Sequence, residues 1–273
     1  MLPKRIVIVF QAGIGRNEVG RYGIMRYAKT WVEDGHDVQV QIGVAGYAQA
    51  DVAILHVDLS QVPEEYTGLA TRYGVVLNSK ITDIRKSTLS KHLVRLGDGY
   101  QGPVIVKSDL NHAGIPEDNA AMRRRRRFER PSQYPVFSTV ADVPEPFWED
   151  PTVVVERFSP ERDGELYCVR TYSFIGDHGT CLRFKGPDPV LEVGNDTPFE
   201  RVEPAPEILA LRAELNIDLG QIDYTMVAGS AVPIDVNKTI GRGPAVVSSD
   251  LEAQRSYRAR GLYKYFSDAE SRA

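Results

Sequence analysis

Residues 220–241 read GQIDYTMVAGSAVPIDVNKTIG. Two apolar runs, Ile222 to Val227 and Ala231 to Val236, flank Ala228-Gly229-Ser230. A glycine and a serine between such runs predict a β-hairpin. Asp223 falls on the first strand, and Asp235 and Asn237 fall two apart on the second. Residues two apart in a strand share a face. Two carboxylates and an amide oxygen on one face suit a hard cation such as Mg²⁺ and the nucleotide phosphates it accompanies. Asp235 and Asn237 equally suit the end of a strand that opens into a loop.

Outward from the hairpin, the chain alternates short apolar runs with helical patterns. Arg5 to Phe10 is a continuous apolar run, as expected of a buried parallel strand. Tyr22 to Glu33 has helical spacing, with Tyr22, Met25, Ala28 and Val32 predicted on the buried side. Further strands are predicted at Val38 to Ile42, Asp51 to Val57 and Gly74 to Leu77. Alternating strands and helices imply parallel βαβ units. Ligands of such sheets bind at the carboxyl ends of the strands, which places Gln11, Gly13, Arg16, His56 and Asp58 near any cleft. GIGRNEVG, at 13–20, is not a dinucleotide fingerprint.

The middle of the chain carries two lysines of interest. Pro103 to Lys107 is an apolar strand ending in lysine, followed by a polar loop that closes on Ala113-Gly114. Such a lysine reaches a phosphate or an adenine edge, and small residues let loop N–H groups approach phosphate. His112 in that loop suits phosphate or substrate, and suits solvent equally. Thr152 to Phe158 reads as a buried strand that ends in charge, and Leu166 to Ile175 alternates as an antiparallel strand. Pro204 to Asn216 and Asp250 to Phe266 read as helices. Arg242, in the tight loop Arg242-Gly243-Pro244, is a candidate for a substrate carboxylate.

Taken in order, these pieces resemble the ATP-grasp superfamily, from about Ile6 to Gly241. Within it the Asp223, Asp235, Asn237 set is most similar to the glutathione-synthetase and ribosomal-protein glutamate ligase type. The resemblance implies an α/β fold, α+β toward the C-terminus. It divides the chain into an N-terminal α/β domain (1–80), a small ATP-clamping subdomain (81–158) and a C-terminal subdomain with the metal hairpin (159–273). It implies Lys86 and Lys107 on the phosphates, with His112, Ala113 and Gly114 in the loop over them. It implies Glu156, Arg157 and Phe158 at the adenine, Glu161 at the ribose, and Arg170 facing the γ-phosphate and the acyl intermediate. Asp223, Asp235 and Asn237 would hold Mg²⁺ or Mn²⁺. Only about twenty residues separate Lys86 from Lys107, fewer than the family pattern, so the clamping subdomain is expected to be trimmed.

The implied activity is an ATP- and Mg²⁺-dependent ligase. A small-molecule or peptide carboxylate becomes an acyl phosphate, an amine attacks it, and ADP and phosphate leave. Two alternatives stay open: a phosphotransferase on the same scaffold, and a non-catalytic nucleotide-binding protein that uses Arg123 to Arg127 to hold an acidic partner. Composition bounds the rest. The 273 residues are 42 % hydrophobic and 26 % charged, ordinary for a globular protein. A net charge of −4 argues against nucleic-acid binding by bulk electrostatics. No apolar run suits a membrane helix, and the start, MLPKRIVIVF, leads into a strand rather than a signal peptide. Two cysteines without metal spacing fit a reduced, cytoplasmic setting. The sequence leaves the oligomeric state open, a homodimer included.

Overall fold

The apolar run near the N-terminus is buried on both faces. Ile6, Ile8 and Phe10 of β1 (Arg5–Phe10) enter one core, and Val7 and Val9 enter another. The computed structural model describes residues 2–120, 134–194, 196–241 and 249–267. The runs 123–127 and 242–244, including the candidate Arg242, lie outside the described residues.

The first unit holds β1, α1 (Arg16–Val19), α2 (Ile24–Glu33), β2 (Asp37–Ile42), β3 (Val52–Leu55), α3 (Glu64–Ala70) and β4 (Val76–Leu77). Its four strands are parallel in the order β2-β1-β3-β4, as the alternating pattern predicts. The expected side of α2 is buried except at its end: Tyr22 and Ala28 are buried and Met25 packs against the same core. Ile24, Tyr27, Ala28 and Trp31 face the core, and Val32 is 55 % exposed. A large aromatic anchors the face: Trp31 Nε1 donates to Ala259 O at 2.7 Å, and this contact across the molecule overrides the smaller Val32.

Next come α4 (Lys86–Leu89), β5 (Val104–Ser108), a 3-10 turn at Asn111–Gly114, α5 (Ile115–Ala120), β6 (Val136–Phe137), α6 (Glu145–Glu149) and β7 (Val153–Arg157). The strands form a three-stranded antiparallel sheet, β6-β5-β7. Val104, Val106 and Val155 point to a small core with Val143. By strand alternation Ile105, Lys107, Val154 and Glu156 point the other way.

The last unit comprises β8 (Glu161–Asp163), β9 (Leu166–Ile175), β10 (His178–Gly186), β11 (Phe199–Val202), α7 (Pro206–Glu214), β12 (Leu219–Val227), β13 (Ser230–Asn237) and α8 (Ser249–Arg260). A six-stranded antiparallel sheet runs β11-β10-β9-β12-β13, with β8 on β9. One face, bearing Tyr172, Phe174, Ile222 and Tyr224, packs on Ile208 of α7 and on Ile81 and Ile84. At the opposite face Ile175 and Leu219 join the core of β1 and α2 together with Ala259 and Leu262. The predicted closing helix stops at Arg260 and continues as a 3-10 turn, Gly261–Tyr265.

Candidate functional site

The hairpin forms as its sequence predicts. Ala228 (φ 49°) and Gly229 (φ 85°) make a two-residue turn between Val227 and Ser230. Both angles are left-handed, the requirement of a tight hairpin turn. Between Tyr224↔Pro233 and Asp223↔Asp235 the register slips by one residue, a β-bulge at Ile234. Proline has no ladder donor to offer, and such bulges are where strands accept it. The bulge also switches faces. Ala231 packs into the α7 core, while Asp235 lies directly opposite Asp223 on the other face. Asn237 lies opposite Gln221 on that same face.

Asp223 accepts a hydrogen bond from Thr171 Oγ1 (2.7 Å) and from Gln221 Nε2 (3.1 Å). Burial, and then the neighbouring Asp235, push its pKa up to about 7. Asp235 goes the other way. Burial opposes its charge, but Lys86 and Lys107 overcome that and hold its pKa below the ordinary value. Asp235 keeps 28 % of its side-chain surface open. Asn237 Nδ2 donates to Asp235 Oδ2 at 3.2 Å, and its Oδ1 accepts from Asn111 Nδ2.

The two lysines converge here from different elements. Lys86, the first residue of α4, places Nζ 3.3 Å from Asp235 Oδ1. Lys107 on β5 ion-pairs with Glu156 of β7 at 2.6 Å and donates to Ile234 O at 2.9 Å. That carbonyl belongs to the bulged residue, so the bulge supplies the acceptor as well as the carboxylate orientation. The loop after β5 folds back beside them. His112, Ala113 and Gly114 have φ of 46°, 52° and 75°, three left-handed residues in succession. His112 and Ala113 are exposed, and Asn111 is buried. Asn111 donates its N–H to Ser60 Oγ and its side-chain amide to Asn237, bridging the loop to the hairpin.

Other expected site residues go elsewhere. Arg170 lies opposite Tyr224, one residue out of phase with Thr171 opposite Asp223, so the pleat turns it to the far face. There it meets Glu161, which accepts from Arg170 Nε (2.9 Å), Arg170 Nη2 (2.8 Å), Arg183 Nε (2.9 Å) and Met226 N (2.9 Å). Arg170 and Glu161, expected at the γ-phosphate and the ribose, lie in an internal ion pair extended through Arg183 by Asp163, Lys185 and Glu200. The adenine expectation at residues 156–158 is narrowed too. Arg157 N donates to His92 O and Phe158 N to Pro103 O, and the Glu156 carboxylate holds Lys107.

Sequence reasoning missed a buried network behind the hairpin. Lys238, 2 % exposed, donates to Val57 O and Leu59 O, both at 2.6 Å. Burial lowers its pKa to about 8. Asp58 accepts from Tyr22 OH and Thr239 Oγ1, and His56 Nε2 accepts from Ile240 N. His56 and Asp58, expected beside a cleft, are instead enclosed at 0 % and 6 % exposure. The alternation that places Asp235 and Asn237 on one face would also have flagged Gln221 and Thr171. Nothing in the local sequence marks Lys238 as internal.

The donor set fits a divalent cation. Two carboxyls face each other across a strand pair, and the Asn237 amide lies beside them, its Nδ2 on Asp235 and its Oδ1 on Asn111. Among the described residues no three His, Cys, Asp or Glu side chains gather to hold a metal alone. No helix among the described residues is long and apolar enough to cross a membrane.

Solved structures share this architecture. D-alanine–D-alanine ligase from Bacillus anthracis, complexed with ATP, matches with a TM-score of 0.53 at 12 % identity, over 99 % of this chain and 100 % of that one. A second structure of that ligase matches with a TM-score of 0.54 at 12 % identity, over 100 % of both chains. A RimK-domain ATP-grasp protein from Sphaerobacter thermophilus matches with a TM-score of 0.52 at 14 % identity, over 95 % of this chain and 98 % of that one. No protein-family model and no curated protein matches the sequence. The parallel N-terminal sheet, the small three-stranded sheet and the six-stranded sheet with its acidic hairpin together give this chain the fold of these solved structures, an ATP-grasp protein among them.

Proposed function

We propose that the protein is an ATP-dependent carboxylate–amine ligase. One observation carries the reading: Asp223, Asp235 and Asn237 share one face of the hairpin, and Lys86 and Lys107, brought in from two other elements, reach Asp235 and the neighbouring Ile234 carbonyl. The ATP complex of a structural neighbour supports nucleotide as the ligand. Carboxylates for a cation beside lysines for phosphate are what a triphosphate needs. In this reading Asp223, Asp235 and Asn237 hold Mg²⁺, which when bound offsets charge on the phosphates. Lys86 and Lys107 hold phosphate oxygens, and the left-handed loop at His112–Gly114 lies over them.

The substrate carboxylate attacks the γ-phosphorus, ADP leaves, and an amine then displaces phosphate from the acyl phosphate to form the amide. The protein's share is positioning and electrostatics, so no protein nucleophile is required. Glu161 and Arg170 stabilise the sheet from its far side.

Calorimetric titration of ATP with and without Mg²⁺, on the natural protein and on Asp235→Asn, tests the site. Metal-dependent binding that the substitution removes is the expected result; equal binding by both proteins refutes the assignment. With candidate acids present, hydroxylamine separates ligase from phosphotransferase chemistry. A hydroxamate reports an acyl phosphate, whereas a stable phosphorylated product reports phosphoryl transfer to a hydroxyl.

A further inference from the structure

Lys86 has a second relationship, beyond any phosphate. It is buried, with 10 % of its side-chain surface open, and its ammonium lies 3.3 Å from Asp235 Oδ1. Its helix is fixed from behind. Lys86 N donates to Asp109 O, and Ser87 donates its N–H and its hydroxyl to the Asp109 carboxylate at 2.7 and 2.9 Å. Lys107 is held differently: it is spent on Glu156 and on the Ile234 carbonyl. Asp223 has only neutral donors, Thr171 and Gln221, for its hydrogen bonds. The site thus groups three carboxyls, Asp223, Asp235 and Glu156, with two ammonium groups, Lys86 and Lys107. A divalent ion arriving alone would place two further positive charges within a few ångströms of Lys86, where water screens poorly.

We propose that Lys86 is the resident counter-ion of Asp235, so that a divalent cation enters the site only together with a nucleotide. The triphosphate does two things at once. It brings the negative charge that offsets the metal, and it gives the Lys86 ammonium a new partner, releasing Asp235 to the ion. Metal and nucleotide binding are then coupled, each strengthening the other as linkage requires. The inference rests on the metal and nucleotide assignment proposed above, and it adds the order in which the site fills.

The test is titration of Mn²⁺, read by electron paramagnetic resonance of the free ion, with and without ATP. The natural protein, Lys86→Met and Lys86→Arg are compared. The natural protein and Lys86→Arg should bind Mn²⁺ alone weakly. Lys86→Met should bind Mn²⁺ alone tighter by about tenfold or more, the scale of removing one nearby like charge. The same variant should bind Mn²⁺·ATP about tenfold more weakly. Opposite signs in one variant are the signature: a merely structural lysine would weaken both, and a lysine that served phosphate alone would leave free-metal binding unchanged. Either of those results overturns the inference. If Lys86→Met does not fold, as its melting curve would reveal, Lys86→Gln is titrated with the same expectation. If the natural protein fails to bind Mn²⁺·ATP, the proposed function falls and this inference with it. If it binds and Lys86→Met does not tighten free Mn²⁺, only the inference falls.

Discussion

At the scale of single residues, the site is built from charges that protein atoms already satisfy. Lys107 and Glu156 are 9 % and 5 % exposed and 2.6 Å apart. Breaking a buried pair leaves one charge uncompensated, so Glu156→Gln should destabilise the protein by about 3 kcal/mol in urea unfolding. His56 gives a pH signature. It is enclosed between the rings of Phe10 and Tyr22, and burial lowers its pKa from 6.5 to about 4, with Asp58 opposing the shift. The folded protein therefore binds fewer protons than the unfolded chain across that window. The stability this histidine contributes is full above pH 6.5 and is lost as pH falls toward 4. Asp223, raised to about 7, contributes in the opposite sense: its share is present below pH 3.8 and is lost as pH rises toward 7. Comparing His56→Gln with the natural protein at each pH isolates the histidine. The stability difference between them should shift by about 3 kcal/mol in favour of the variant between pH 7 and pH 4.

At the scale of elements, the hairpin was legible because its signals are local. Apolar runs, a glycine and paired oxygen ligands all lie within 22 residues. One local conflict remains in it. Ala228 adopts φ 49°, which costs an L-residue with a Cβ about 1 kcal/mol that glycine avoids. Ala228→Gly should therefore raise the free energy of unfolding by up to about 1 kcal/mol, less what glycine loses in chain entropy, as seen in a thermal melt. No side chain of the site is touched, so Mg²⁺-dependent ATP binding should stay as it is. The bulge at Ile234 was not legible, although Pro233 was in plain view, because whether a strand slips there depends on its partner. The same holds for α2. Its period was readable, but that its last turn buries Trp31 rather than Val32 was settled by Trp31 reaching Ala259 across the molecule.

At the scale of the whole molecule, one asparagine is prominent among the contacts that join the N-terminal sheet to the sheet that carries the site. Asn78, at the end of β4, holds φ 60° and is 2 % exposed. Its Nδ2 donates to Leu219 O and Lys238 O at 2.7 and 2.8 Å, and its Oδ1 accepts from Asp218 N and Leu219 N at 2.9 and 3.1 Å. It therefore clamps the start of β12 and the chain just past Asn237 at once. Asn78→Ala leaves buried backbone groups without partners and should cost about 3 kcal/mol in denaturant unfolding. Because Ile175, Leu219, Ala259 and Leu262 share a core with β1 and α2, these parts should unfold together in one transition.

The sequence by itself determined the elements whose cause lies within a few residues: the parallel strands of the N-terminal sheet, the β9 strand, the acidic hairpin and the lysine that ends a buried strand. Periodicity and turn chemistry act over those distances, so the chain displays them directly. Only the tertiary structure decided which charges meet. Arg170 and Glu161 are drawn to each other because one step of pleat turns Arg170 away from Asp223. Lys86 reaches Asp235 across 149 positions, and Lys238 is enclosed by the carbonyls of Val57 and Leu59. Such pairings depend on sheet register and on long-range packing, and no spacing along the chain encodes them.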